Sequence, residues 1–208
     1  MHVVTFGNEP AVRGICDPHR ARYWRIAAWC LVGYLLVLVA WSAPAPDAGD
    51  PLPQPEQRIK AAFLYKFLSY IEWPPGALKS GTSPIVLGVL GDDDMADALQ
   101  SIVAKRRIGQ HPLEVRRLTE SNALDGVHLL FVGGGESAAL ARLAPDAQRR
   151  SVLLVTDFDR ALDEGSVINL VVVDDRVRFE VSLEAAERSR LKLSSRMLAV
   201  ALWVNPSR

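Results

Sequence analysis

Three short apolar runs, 84–91 (PIVLGVLG), 126–135 (GVHLLFVGGG) and 151–158 (SVLLVTDF), carry no polar face and are bounded by turn-forming residues. Runs of this length read as strands buried on both sides, so helices are needed above and below the sheet they form. Residues 92–103 (DDDMADALQSIV) and 136–147 (ESAALARLAPDA) supply helices between them. The first is opened by acids that suit the positive end of a helix dipole. Segment 111–118 (HPLEVRRL) reads as a weak edge strand. Segments 166–173 (SVINLVVV) and 176–181 (RVRFEV) read as a hairpin across Asp174-Asp175, followed by two closing helices over 182–190 and 194–204. Strands alternating with helices of about ten residues predict an α/β fold, a three-layer sandwich with a mixed, mostly parallel sheet flanked by helices. With a helix first and a hairpin late, the winding is expected to depart from the Rossmann and flavodoxin orders.

The front of the chain has a different character. Arg20, Arg22 and Arg25 precede 16 mostly apolar residues, 26–41, which are followed by small residues and prolines. This pattern predicts a signal peptide over 1–42, with Ala40 and Ser42 as the small residues at −3 and −1 of the cleavage point. The run is shorter than the roughly 20 residues a spanning helix needs, so cleavage is expected, with an uncleaved anchor as the alternative. Five prolines in 43–55 mark a linker, taken as 43–56, and the domain is expected over 57–204. Both cysteines, Cys16 and Cys30, fall in the leader, so the exported chain is expected to hold no disulfide and no thiolate chemistry. The whole chain has 24 basic and 24 acidic side chains, and losing 1–42 leaves 20 against 22. Neither balance suits a nucleic-acid ligand.

The stretch 59–74 (IKAAFLYKFLSYIEWP) predicts a helix that stops at Trp73-Pro74, because proline disfavours helical geometry in the residue before it. At 100° per residue, Ile59, Phe63, Leu64, Phe67, Leu68 and Ile71 make an apolar arc, and Lys60 points into its middle. An ammonium there snorkels outward, pairs with a carboxylate, or meets a partner. In the strand 176–181, Val177, Phe179 and Val181 face one way and Arg176, Arg178 and Glu180 the other, so Lys60 paired with a hairpin carboxylate is one reading. In the other, the arc is a partner-binding surface of Phe63, Phe67 and Trp73, with Lys60 at its rim and Arg178 and Glu180 contributing.

A third candidate is the edge where parallel strands end. There Asp92, Gly133, Gly134, Glu136 and Asp157 collect, at the place where open α/β sheets hold ligands. The glycine turn suggests a phosphate cradle, yet so many carboxylates repel phosphate, and a small amine or an aromatic ligand suits the edge better. Glycines for a tight turn and acids as helix caps remain the plain alternative. An acidic, magnesium-binding pocket is disfavoured because Val132 and Gly133 stand where a central carboxylate is wanted. His111 and His128 have no companion at ligand spacing, and the sequence around Ser137 is not a nucleophile elbow. No cofactor, metal or catalytic constellation is expected, and the protein is read as a non-enzyme.

Taken together, KAAFLYKFLSYIEWP at 60–74 and RFEVSLEAAERSRLKLSSRMLAVA at 178–201 resemble the signatures of the YfiR-like family of exported proteins. HLLFVGGGE, SVLLVTDF and GSVINLVVVDDRVRFEV fall between them in the family's order, so the resemblance spans about 57–204. It implies a periplasmic α/β domain without catalysis. The implied role is repression of an inner-membrane diguanylate cyclase by contact with its periplasmic part, lowering cyclic-di-GMP output and so biofilm formation. The family further implies relief by an OmpA-like outer-membrane lipoprotein and self-association as a homodimer. Several relatives carry disulfide-forming cysteines, which the exported part of this chain lacks, so redox control is not expected.

Overall fold

The computed structural model of the chain describes residues 55–78 and 81–206. Contacts divide the chain into 1–51 and 52–208, and the expected leader and nearly all of the expected linker lie outside the described residues. Helix α1 (Pro55–Phe67) begins two residues before the expected domain boundary. Pro55 suits a first helical position, where a missing N–H costs nothing, and Glu56 lies in the first turn.

The expected stop at Trp73 is corrected. The helix ends at Phe67, and Ser69 and Tyr70 turn back onto the carbonyls of Lys66 and Phe67. Strand β1 (Ile71–Glu72) then pairs antiparallel with β9 (Lys192–Leu193), a partner about 120 residues away that no local pattern reveals.

The main sheet has eight strands in the order β10-β8-β7-β6-β5-β2-β4-β3. Strands β2 (Ile85–Leu90), β4 (His111–Leu118), β5 (Leu129–Val132), β6 (Leu153–Thr156) and β7 (Ile168–Val173) are all parallel. Their spatial order, second-first-third-fourth-fifth, is the flavodoxin-like winding, so the expected departure holds only for the flanking elements. Segment 111–118 is also not the outermost strand, because the two-residue β3 (Arg107–Ile108) covers its free side.

The hairpin forms as expected: β7 pairs antiparallel with β8 (Arg176–Ser182), and Asp174 and Asp175 both take left-handed backbone angles. That is the two-residue turn whose twist matches the strands it joins. The last expected helix is corrected as well. Only α5 (Ser195–Leu198) is helical, and β10 (Trp203–Asn205) runs parallel to β8 as the terminal strand.

Two cores sandwich the sheet, as the apolar runs required. On one face α1 and α2 (Asp93–Val103) share a core with α4 (Leu183–Arg188) and α5, built on Leu64, Phe67, Met95, Leu99, Phe131 and Phe179. On the other face α3 (Ser137–Arg150) packs through Ala139, Leu140 and Ala147 against Val86, Leu130 and Leu154. The result is the expected three-layer α/β sandwich.

Candidate functional site

Helix α1 is rotated from the face its sequence suggests. Ala61, Leu64, Phe67 and Leu68 are buried, Ile59 is 49% exposed, and Lys60 is only 6% exposed. The long stem of Lys60 is what is buried, and its head reaches the carboxyl end of the sheet. Lys60 Nζ lies 2.8 Å from Asp157 Oδ2, on the residue just after β6, and 2.6 Å from Glu56 Oε1, one turn back on α1. The partner is therefore a strand-end carboxylate and not Glu180 of the hairpin. With two carboxylates on it and almost no exposure, Lys60 is not a rim contact. The Glu56 partner was readable: a Glu four residues before a Lys is the favoured helical pairing.

Asp92, between β2 and α2, belongs to the same cluster. Its Oδ1 accepts the Met95 amide N–H at 2.8 Å and caps α2. Burial pushes its carboxyl above the usual range, opposed by the Met95 amide, and the negative charge of Asp157 raises it further, while Gln57 bonds to it from α1. For Lys60, burial alone lowers the ammonium, but the bonds from Asp157 and Glu56 outweigh it, and the net shift is upward. The cluster is thus a lysine paired with mostly buried Asp157 and exposed Glu56, with Asp92 sharing the site at an electrostatic cost.

A carboxyl raised above its unfolded value of 3.8 favours folding in its protonated form; that favour is full below 3.8 and lost as pH rises through the folded value. Asparagine keeps the cap without the charge. Asp92→Asn is therefore expected to melt at or above the wild-type temperature near neutral pH, with the difference vanishing below about pH 3. A lower melting temperature at neutral pH would show that the ionised carboxylate is held favourably.

At the end of β5 the glycines serve close packing. Gly91 has a φ of +79, and a Cβ there would meet Glu136 Cγ at 2.6 Å. A Cβ on Gly133 would meet the Gly91 carbonyl oxygen and Asp92 Cβ, each at 3.1 Å. The turns after β2 and β5 thus press on each other where the strand order reverses. Gly134 and Glu136 are exposed beside this contact, and Asp157 is turned toward Lys60.

The aromatic residues separate into two kinds. Phe67 is 2% exposed; its ring sits 5.1 Å from that of Phe179, edge on, and Phe63 lies 5.9 Å from both. Phe63 is half-buried at the outer side of this trio. On α1, Ile59 shares its face with Phe63. On the sheet, Val172 and Val177 stand opposite each other on the face that carries Phe179, and Val172 is 50% exposed. No local pattern marks Ile59 and Val172 as exposed, because each sits in a stretch that reads as core.

Arg178 and Glu180 project from the opposite face of β8, exposed and half-buried respectively, so the sheet itself separates them from Phe63. Trp73 lies at the far end, in a groove with Pro74, Glu187 and Lys192, and its indole Nε1 is buried without an acceptor among the described residues. The fold therefore brings Lys60, Asp157 and Asp92 together, places Phe63 beside them on α1, and holds Trp73, Arg178 and Glu180 apart.

The family model described as YfiR/HmsC-like (DUF4154) matches residues 57–202. The chain belongs to the YfiR/HmsC-like family. No helix among the described residues is long and apolar enough to cross a membrane. No curated protein matches the sequence. Among solved structures, a conserved domain protein from Vibrio cholerae O1 biovar El Tor is similar at 9% identity and a TM-score of 0.49, covering 72% of this chain and 60% of that one. The ABC domain in complex with L-Trp from Streptococcus pneumoniae is similar at 10% identity and a TM-score of 0.44, covering 58% and 55%. This YfiR/HmsC-like chain thus spans less than two thirds of either structure.

Proposed function

We propose that this protein represses an inner-membrane diguanylate cyclase by binding its periplasmic part in the inactive state, which lowers cyclic-di-GMP output by shifting the enzyme's equilibrium. The observation that carries this reading is the YfiR/HmsC-like match across 57–202. Export with loss of residues 1–42 puts the domain in the right compartment, and an OmpA-like outer-membrane lipoprotein that sequesters it would relieve the repression. Homodimerisation is part of the same proposal.

The surface best suited to the cyclase is the apolar patch where α1 meets the hairpin, formed by Ile59, Phe63, Val172 and Val177. Exposed apolar area of this kind favours burial against a partner. Lys60 and Phe67 support it from beneath, while Trp73, Arg178 and Glu180 offer separate, secondary contacts.

Because Ile59 and Val172 are about half exposed, aspartate at either is expected to leave the melting temperature within a few degrees. Capture of the cyclase from solubilised membranes should fall at least tenfold for Ile59→Asp and Val172→Asp. Undiminished capture by both folded variants would remove the patch from the interface, and failure of the wild type to capture any diguanylate cyclase would remove the function.

A further inference from the structure

We propose that a cleft at the amino ends of β2 and β5, opposite the end that carries Lys60, binds a small organic carboxylate with an apolar body. The cleft holds about 430 Å³, within the range of small-ligand sites. Its floor is apolar: Val86 from β2, and Leu124 and Val127 from the segment that enters β5. Two guanidiniums border it from different elements, Arg116 in β4 and Arg150 at the end of α3. Among the described residues no acidic side chain lines it, although the chain as a whole carries as many acids as bases. Guanidinium N–H groups at the border suit a carboxylate, and the apolar floor sets the body of the ligand.

Acids that are not part of the lining anchor both arginines. Arg116 Nε donates to Glu114 Oε1 at 2.6 Å. Arg150 Nε lies 3.0 Å from Asp146 Oδ2, and its Nη1 donates to the Leu124 carbonyl at 3.4 Å, with Asp125 Oδ1 at 3.6 Å. Among the described residues, these contacts anchor both side chains and use neither Nη of Arg116 nor Nη2 of Arg150. A guanidinium anchored through one edge presents its other N–H groups in a planar fork that matches a carboxylate.

His128 completes the wall. The Val86 amide N–H donates to its Nδ1 at 3.0 Å, so that nitrogen is an acceptor and the neutral ring bears its proton on Nε2. A ring held this way adds no negative charge and keeps the wall rigid. Gly126, with a φ of +68, makes the turn before β5, and a Cβ there would lie 3.9 Å from an Arg116 Nη. The turn and the guanidinium are therefore adjacent without being in tight contact.

The test is a titration of 15N-labelled protein with sodium benzoate, followed by amide shifts. Saturable shifts at Gly126, Val127 and His128 are expected with benzoate. The uncharged isostere benzamide should produce none at the same concentrations. Arg116→Gln and Arg150→Gln should each weaken benzoate binding about tenfold or more while keeping the wild-type melting temperature, since each removes charge-assisted hydrogen bonds to the carboxylate. Ala77→Trp, which fills the rim without changing charge, should also abolish the shifts. Equal response to benzamide, an equal response to inorganic phosphate, shifts located elsewhere, or no shift at all would each overturn the assignment.

Discussion

Lys60→Met is expected to destabilise the domain by about 3–5 kcal/mol, the usual cost of removing one partner from a buried ion pair. Lys60 is 6% exposed and the Asp157 side chain 10%, so the carboxylate left behind has little water to turn to and Asp92 as a like-charged neighbour. Glu56, 48% exposed, simply rotates into solvent and contributes little to the loss. The double variant Lys60→Met/Asp157→Asn should recover more than half of the deficit, because an uncharged pair needs no compensation. Denaturant melts of the two single variants and the double form the cycle that measures this. A single-variant cost below about 1 kcal/mol would show that the pair is solvated in solution.

The pH dependence gives the same test another axis. Lys60 titrates above its unfolded value of 10.5, so its contribution is fully present below that pH and is lost as pH rises through the folded value. Near neutral pH the full contribution of Lys60 is therefore present and adds no pH dependence to wild-type stability, which should decline in strong alkali.

Phe67→Ala is expected to cost about 3–5 kcal/mol, the range for deleting a fully buried ring. Phe67 is 2% exposed and meets Phe179 edge on at 5.1 Å, a geometry that adds to plain area burial. Phe63→Ala should cost roughly half as much, because one side of that ring faces solvent. The Phe67 and Phe179 losses should couple by about 0.5–1.5 kcal/mol when combined. Equal costs at Phe63 and Phe67 would contradict the burial difference. Phe67→Asp cannot report on partner binding, since it unfolds the core, which is why Ile59 and Val172 are the proper probes of the surface.

Much of the fold was legible in the chain because its strands are buried on both faces. Runs such as LLFV and LLVT hold no polar side chain to present to water, so helices on both sides follow from the sequence alone. The Asp174-Asp175 turn was equally local, since two residues between extended runs admit few geometries. The ending was not. Residues 199–204 (AVALWV) fit a helix pattern, and only the free edge of β8, which supplies hydrogen-bond partners to Trp203–Asn205, makes the last of them a strand. At the site, Glu56 lay within helical reach of Lys60, but nothing marked Asp157 as the second partner.

The sequence by itself determined that Lys60 would be anomalous on an apolar helix face and that carboxylates would gather where the parallel strands end, since both follow from periodicity and strand direction. Only the tertiary structure decided that these two facts are one, across 97 residues, by turning α1 so that Ile59 faces water and Lys60 faces Asp157. The rotation of a helix on a sheet is set by how all its side chains pack at once, and no single position in the chain encodes it.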